Sequence, residues 1–163
     1  MEKQTALIKA DIFWCSNYVK NKQGKYYTVD LCNLSENAVR ALQDLGIEVK
    51  HDPVKKPEQG YYVTAKSMNY VIHTFDKDGK ELGKWKKTDD GKGTEVVRDE
   101  QGNPQYTRIS NKSKALATVS PYRVMYNGKP LIQTQINKLV VTELIEYIPE
   151  NAVNLADLEE QAL

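Results

Sequence analysis

Between Leu7 and Cys15 apolar and polar side chains alternate. Ile8, Ala10, Ile12 and Trp14 fall on one face of an extended chain, and Lys9, Asp11 and Phe13 on the other. A period of two predicts a half-buried strand with Trp14 inside and Phe13 outside. Asn17 to Gly24 is a polar, lysine-containing turn. Lys25 to Cys32 alternates again, with Tyr27, Val29 and Leu31 on the inner face and Tyr26, Thr28 and Asp30 on the outer. The two segments read as a hairpin with a long basic loop.

The period then changes. From Glu36 to Leu45, Ala38, Leu42 and Leu45, with Val39 and Ala41, form an apolar stripe at helical spacing. Ser35 suits the N-cap, Glu36 the positive end of the helix dipole, and Gly46 the position after the last turn. Lys50 to Gly60, with Pro53 and Pro57, is a loop. Tyr61 to Ser67 and Tyr70 to Phe75 are a third and fourth strand, followed by an Asp76-Lys-Asp-Gly79 turn. Lys80 to Pro104 is polar and glycine-rich, and reads either as a long hairpin or as a mobile arm. Arg108 to Met125 resumes strand patterning. Asn127-Gly128 is a two-residue hairpin signal. Leu131 to Tyr147 supplies the last strand or strands, and Pro149 stops them.

Many strands and one early helix in 163 residues predict a single mainly β domain over residues 1–148: an OB-fold-like five-stranded Greek-key barrel with one short helix and an extra hairpin or arm. The usual order of that fold has its helix between strands three and four. Here it follows strand two, so the expected fold is a variant. Residues 149–163 form a separate acidic C-terminal tail, expected to be flexible.

Charge sharpens this division. The chain carries 23 Lys and Arg against 22 Asp and Glu. The segment after Tyr147 holds Glu150, Asp157, Glu159 and Glu160 and no basic residue, so the body is basic and the tail acidic. Such asymmetry points to electrostatic partners. Cys15 and Cys32 are the only cysteines. Without an export signal at Met1-Glu-Lys-Gln-Thr they read as reduced cytosolic thiols. No apolar run is long enough for a membrane helix.

Catalytic and metal patterns are thin. His51 and His73 are the only histidines, and neither belongs to a ligand spacing. The turn at Asp76 lacks the glutamate of a calcium loop, with Trp85 in its place. There is no phosphate loop and no nucleophile elbow. No enzyme activity, metal or cofactor is therefore expected.

Binding chemistry is richer. Single-stranded nucleic acid is held by cations that follow the phosphates and by aromatic faces that accept bases. Ten Tyr stand beside only two Phe and two Trp, repeatedly next to basic residues. The candidate single-stranded DNA-binding residues are Lys9 and Phe13; Tyr18, Lys20 and Lys22; Lys25 and Tyr26; Tyr62, Lys66 and Tyr70; Lys84, Trp85 and Lys86; Tyr106 and Arg108; Lys112 and Lys114; and Tyr122 and Arg123. An outward aromatic in this pattern is either a stacking platform or a stabiliser of the next strand.

Three stretches also resemble the single-stranded DNA-binding proteins of tailed bacteriophages. They are Gly24-Lys-Tyr-Tyr-Thr-Val-Asp-Leu-Cys-Asn-Leu-Ser35 with the helix and Leu45-Gly-Ile47; Gly60-Tyr-Tyr-Val-Thr-Ala-Lys-Ser67; and Asn111-Lys-Ser-Lys-Ala115 with Val119-Ser-Pro-Tyr-Arg-Val124 and Leu139-Val-Val-Thr-Glu-Leu-Ile-Glu-Tyr147. The resemblance implies an OB fold that coats single-stranded DNA without sequence preference. It implies work in phage DNA replication or recombination, in the cytoplasm of the infected bacterium. It also implies an acidic tail that shields the DNA groove and contacts replication or recombination proteins through Glu150, Asp157, Glu159, Glu160 and Leu163. Tails of this family often end in an aromatic residue; this one ends in Leu163. The reading from a different class is a β-rich adaptor that uses the tail and the polar arm to bind proteins. Oligomeric state is open, and exposed barrel edges leave room for a homodimer.

Overall fold

The computed structural model describes residues 4–146. Its elements are β1 (Ala6–Ser16), β2 (Tyr27–Cys32), α1 (Glu36–Asp44), β3 (Lys50–His51), β4 (Tyr61–Ser67), β5 (Thr74–Phe75), β6 (Trp85–Lys87), β7 (Thr94–Val96), β8 (Ser113–Tyr126) and β9 (Lys129–Glu143). Five long strands close a barrel in the order β1-β2-β4-β9-β8 and back to β1. The β4–β9 seam is parallel, at Ala65 opposite Thr134 and Lys66 opposite Gln135, and the other four are antiparallel. This is the expected five-stranded Greek-key barrel, with the helix between its second and third strands.

The alternation in sequence fills the interior. Ile8, Ala10 and Ile12 of β1, Val29 and Leu31 of β2, Val63 and Ala65 of β4, Ala117 and Val119 of β8, and Leu139 and Val141 of β9 share one core. The helix adds Ala38 and Leu42. Ser35 Oγ accepts from the Ala38 N–H at 3.1 Å, a cap worth about 1 kcal/mol. Gly46 ends the helix at φ +82°, where a Cβ would meet Ile132 of β9 at 3.1 Å. Among the described residues no helix is long and apolar enough to cross a membrane.

The expected alternation fails at Trp14. Phe13 pairs with Asp30 and Ser16 with Thr28, so β1 spends one more residue than β2 over this stretch. Trp14 takes φ +52° and turns out to solvent, 62% exposed. Phe13 lies off the main core, in a small cluster with Cys32 and Tyr62. The 52–60 loop lies against that cluster, so Phe13 and Tyr62 are buried.

Residues 70–75 are not a full strand. Only Thr74 and Phe75 pair, in parallel with Leu139 and Val140 of β9. The backbone before them is pinned to the first loop: the Ile72 N–H donates to the Asn17 carbonyl at 2.8 Å, and the Thr74 N–H to Tyr18 Oη at 3.0 Å. The 80–104 segment is a hairpin, β6 against β7. The last strand pair starts at Ser113 rather than Arg108 and turns at Asn127-Gly128, with φ +50° and +76° as a primed turn requires. Cys15 and Cys32 are both free thiols. The acidic segment 149–163 lies outside the described residues.

Candidate nucleic-acid interface

The bulge in β1 brings Trp14 to the surface. Trp14 lines a groove of about 630 Å³ together with Tyr106, Lys22, Arg108, Asn111 and Thr28. Among the described residues its lining holds two cations, Lys22 and Arg108, and no carboxylate. The loop before β2 supplies Asn21, Lys22 and Gln23; the segment before β8 supplies Tyr106 to Asn111. Asn111 Oδ1 accepts from the Trp14 backbone N–H at 2.9 Å and so ties the two walls together.

A second cluster adjoins this groove. Thr28 pairs with Lys66 across β2 and β4. The Lys66 ammonium lies 5.2 Å from the centre of the Tyr26 ring, and that of Lys25 lies 5.4 Å from it. Tyr26, immediately before β2, is half-buried. Cations at this range are attracted to the ring quadrupole, and the pair concentrates positive charge beside the groove.

Other candidates lie elsewhere. Tyr18 is 1% exposed and cannot receive a base. Its hydroxyl donates to Glu81 Oε2 at 2.9 Å, its ring contacts Tyr106, and burial holds its phenol well above the usual pKa. Phe13 and Tyr62 are likewise closed to stacking by burial. Lys20 and Lys86 line a different groove, of about 720 Å³, where Lys92 and Arg98 are accompanied by Asp90 and Glu95. Lys84 and Trp85 are not among the residues lining it. The Trp85 indole N–H donates to Glu81 Oε1 at 3.2 Å, and its ring meets the His73 imidazole edge-on at 4.8 Å. Lys9 and Lys114 lie beside Asp11 on the β1–β8 surface, with Lys114 3.3 Å from the Asp11 carboxylate. Lys112 is 3.7 Å from Glu58. Tyr70 is exposed. Tyr122 and Arg123 lie on the exposed β8–β9 hairpin. No group of three or more His, Cys, Asp or Glu among the described residues could hold a metal.

No family model matches the sequence, and no curated protein matches it either. Solved structures do match the fold. The single-stranded DNA-binding protein from bacteriophage Enc34 aligns with a TM-score of 0.54 at 10% identity, over 94% of this chain and 89% of that one. Its complex with single-stranded DNA aligns with a TM-score of 0.50 at 9% identity, over 84% and 86%. The single-stranded DNA-binding protein gp2.5 encoded by bacteriophage T7 aligns with a TM-score of 0.54 at 13% identity, over 99% and 96%. This chain has their fold. The resemblance read in the sequence therefore holds for the architecture, a closed five-stranded barrel with one helix.

Three residues of this region, two at the surface and one buried, carry no local signature in the sequence. Alternation places Trp14 in the core, and nothing local marks the bulge. Asn111 and Gln59 are lone amides in loops. Gln59 is 3% exposed and connects Trp14 to the barrel surface: its Oε1 accepts from the Trp14 indole N–H at 3.2 Å. The one available signal was the run of polar residues beside Tyr61, which no periodicity explains.

Proposed function

We propose that this protein binds single-stranded DNA without sequence preference, along the groove between Trp14 and Tyr106. Bases stack on the two rings, and phosphates follow Lys22, Arg108 and the Lys25–Lys66 pair. Stacking contributes about 1–3 kcal/mol per base and tolerates every base, which accounts for the lack of sequence preference. The amides of Asn21, Gln23 and Asn111 are donors for sugar and phosphate oxygens. The reading rests on one observation above all: this groove brings two aromatic residues, Trp14 and Tyr106, together with two cations, Lys22 and Arg108. It also lies by the loop between the first two barrel strands, a region that OB folds use for oligonucleotides.

The proposed setting is phage DNA replication or recombination inside the infected bacterium, with no chemical step catalysed. Residues 149–163 are proposed to compete with DNA for the cationic surface, or to dock replication or recombination proteins. Four carboxylates spread over this segment give a competition that salt screens readily. The adaptor reading draws support from the β8–β9 hairpin, where Tyr122, Met125, Tyr126 and Leu131 are all exposed.

A fluorescence-anisotropy titration with labelled oligo-dT at two salt concentrations separates the two readings. DNA binding predicts tight association at low salt that weakens with a log–log slope of about −0.7 per neutralised phosphate. No association at low salt favours the adaptor.

A further inference from the structure

Trp14 is held by more than its own strand. A large non-glycine residue at positive φ is an outlier, and such backbone persists only where its surroundings over-determine it. Two contacts do so here. Asn111 fixes the backbone N–H, and Gln59 fixes the indole N–H. Gln59 is in turn fully engaged. Its Nε2 donates to Asp30 Oδ2 at 3.0 Å and to Cys32 Sγ at 3.2 Å, and Thr64 Oγ1 donates to Asp30 Oδ1 at 2.7 Å. The chemistry admits one orientation of the amide. The indole can only donate, so the amide oxygen must face it; a carboxylate can only accept, so the amide nitrogen must face Asp30. Gln59 and Asp30 are both buried, so neither offers a surface to a ligand.

We propose that Gln59, oriented by Asp30, is a positioning residue that holds the exposed Trp14 ring in place as a preformed base-stacking platform. The proposal rests on the DNA-binding reading above. Its physical content is entropic. A ring fixed before DNA arrives does not have to be immobilised on binding, and immobilising one side chain lowers affinity by about two- to tenfold.

The test is a double-mutant cycle read by oligo-dT affinity. Gln59→Met keeps the length and removes all three side-chain hydrogen bonds, to Trp14, Asp30 and Cys32. It is expected to weaken binding about fivefold, within the range for one freed side chain, and to leave the salt slope unchanged, because no phosphate contact is lost. With Trp14→Ala already present, Gln59→Met should have no further effect. Equal losses in both backgrounds, or no loss with Trp14 present, overturn the positioning role. Wild-type affinity in Trp14→Ala alone overturns the DNA-binding placement of Trp14, and the inference falls with it. The unmodified protein supplies a second measurement that does not depend on a variant folding. The Trp14 indole N–H should exchange with solvent more slowly than free indole despite the exposed ring. Exchange at the free rate contradicts the hold.

Discussion

The Lys66 ammonium lies 5.2 Å from the centre of the Tyr26 ring, closer to it than that of Lys25 at 5.4 Å. Tyr26 thus holds two cations near its ring. Replacing Tyr26 with Leu should weaken oligo-dT binding by about 0.5–1 kcal/mol, the scale of an exposed cation–π contact. A stacked base would be worth about 1–3 kcal/mol. Lys66→Ala should flatten the salt dependence by about 0.7 in log–log slope, one phosphate's share. Titrations at several salt concentrations measure both effects.

Phe13 and Trp14 are sequence neighbours with opposite assignments. Phe13 is buried against Cys32 and Tyr62, so Phe13→Ala should lower unfolding stability by about 3–5 kcal/mol. Trp14→Ala, which keeps a Cβ at the same positive φ, should leave the unfolding midpoint near wild type and weaken DNA binding by about 1–3 kcal/mol. Urea unfolding and oligo-dT titration on the same two variants check the pair.

Gly83 packs flat on the Tyr18 ring, and a Cβ there would lie 2.5 Å from Tyr18 Cζ. That contact helps dock the segment carrying β6 and β7 onto the barrel. Gly83→Ala should destabilise by about 1–3 kcal/mol through overpacking. It should also raise amide exchange in Trp85–Val96 more than in β1 or β8. Uniform exchange across the barrel and the hairpin would show that this contact is not what holds the hairpin.

The barrel was legible in the sequence because most of its strands have one face in the core. Ile8, Ala10 and Ile12, or Val29 and Leu31, announce themselves by parity. The helix was legible through Ser35, Leu42 and Gly46. Parity could not foresee where one extra residue enters a strand, which is why Trp14 and Phe13 exchanged roles. Nor could it foresee cover from remote segments. Tyr18 sits in a polar loop by sequence, yet Thr74, Glu81, Gly83 and Tyr106 close over it from far along the chain. Tyr62 faces outward from β4, and Lys56 covers it with an ammonium 4.9 Å from its ring centre. Lys22, Lys25, Tyr26, Lys66, Tyr106 and Arg108 were read as candidates and gather around Trp14 or beside it; the amides that orient Trp14 carry no local signature.

Burial pushes the Cys32 thiol up to about 12, against a hydrogen bond from Gln59 that acts the other way. Its folded value therefore exceeds the unfolded one. Below pH 9 the thiol is protonated in both states and its contribution is fully present. Above pH 9 the unfolded chain loses the proton first, so stability falls by about 1.4 kcal/mol per pH unit until the folded pKa is reached. Unfolding measured from pH 8 to 10.5 should show a shallower decline in Cys32→Ala. At pH 8, iodoacetamide should modify Cys32 only as the protein unfolds.

The central claim concerns where DNA lies, and ultraviolet crosslinking to oligo-dT followed by peptide mass spectrometry reads it directly. Crosslinks at Trp14 and Tyr106, lost in the presence of excess unlabelled oligonucleotide, are the predicted result. Crosslinks confined to Trp85, or to Tyr122 and Tyr126 of the β8–β9 hairpin, would contradict it.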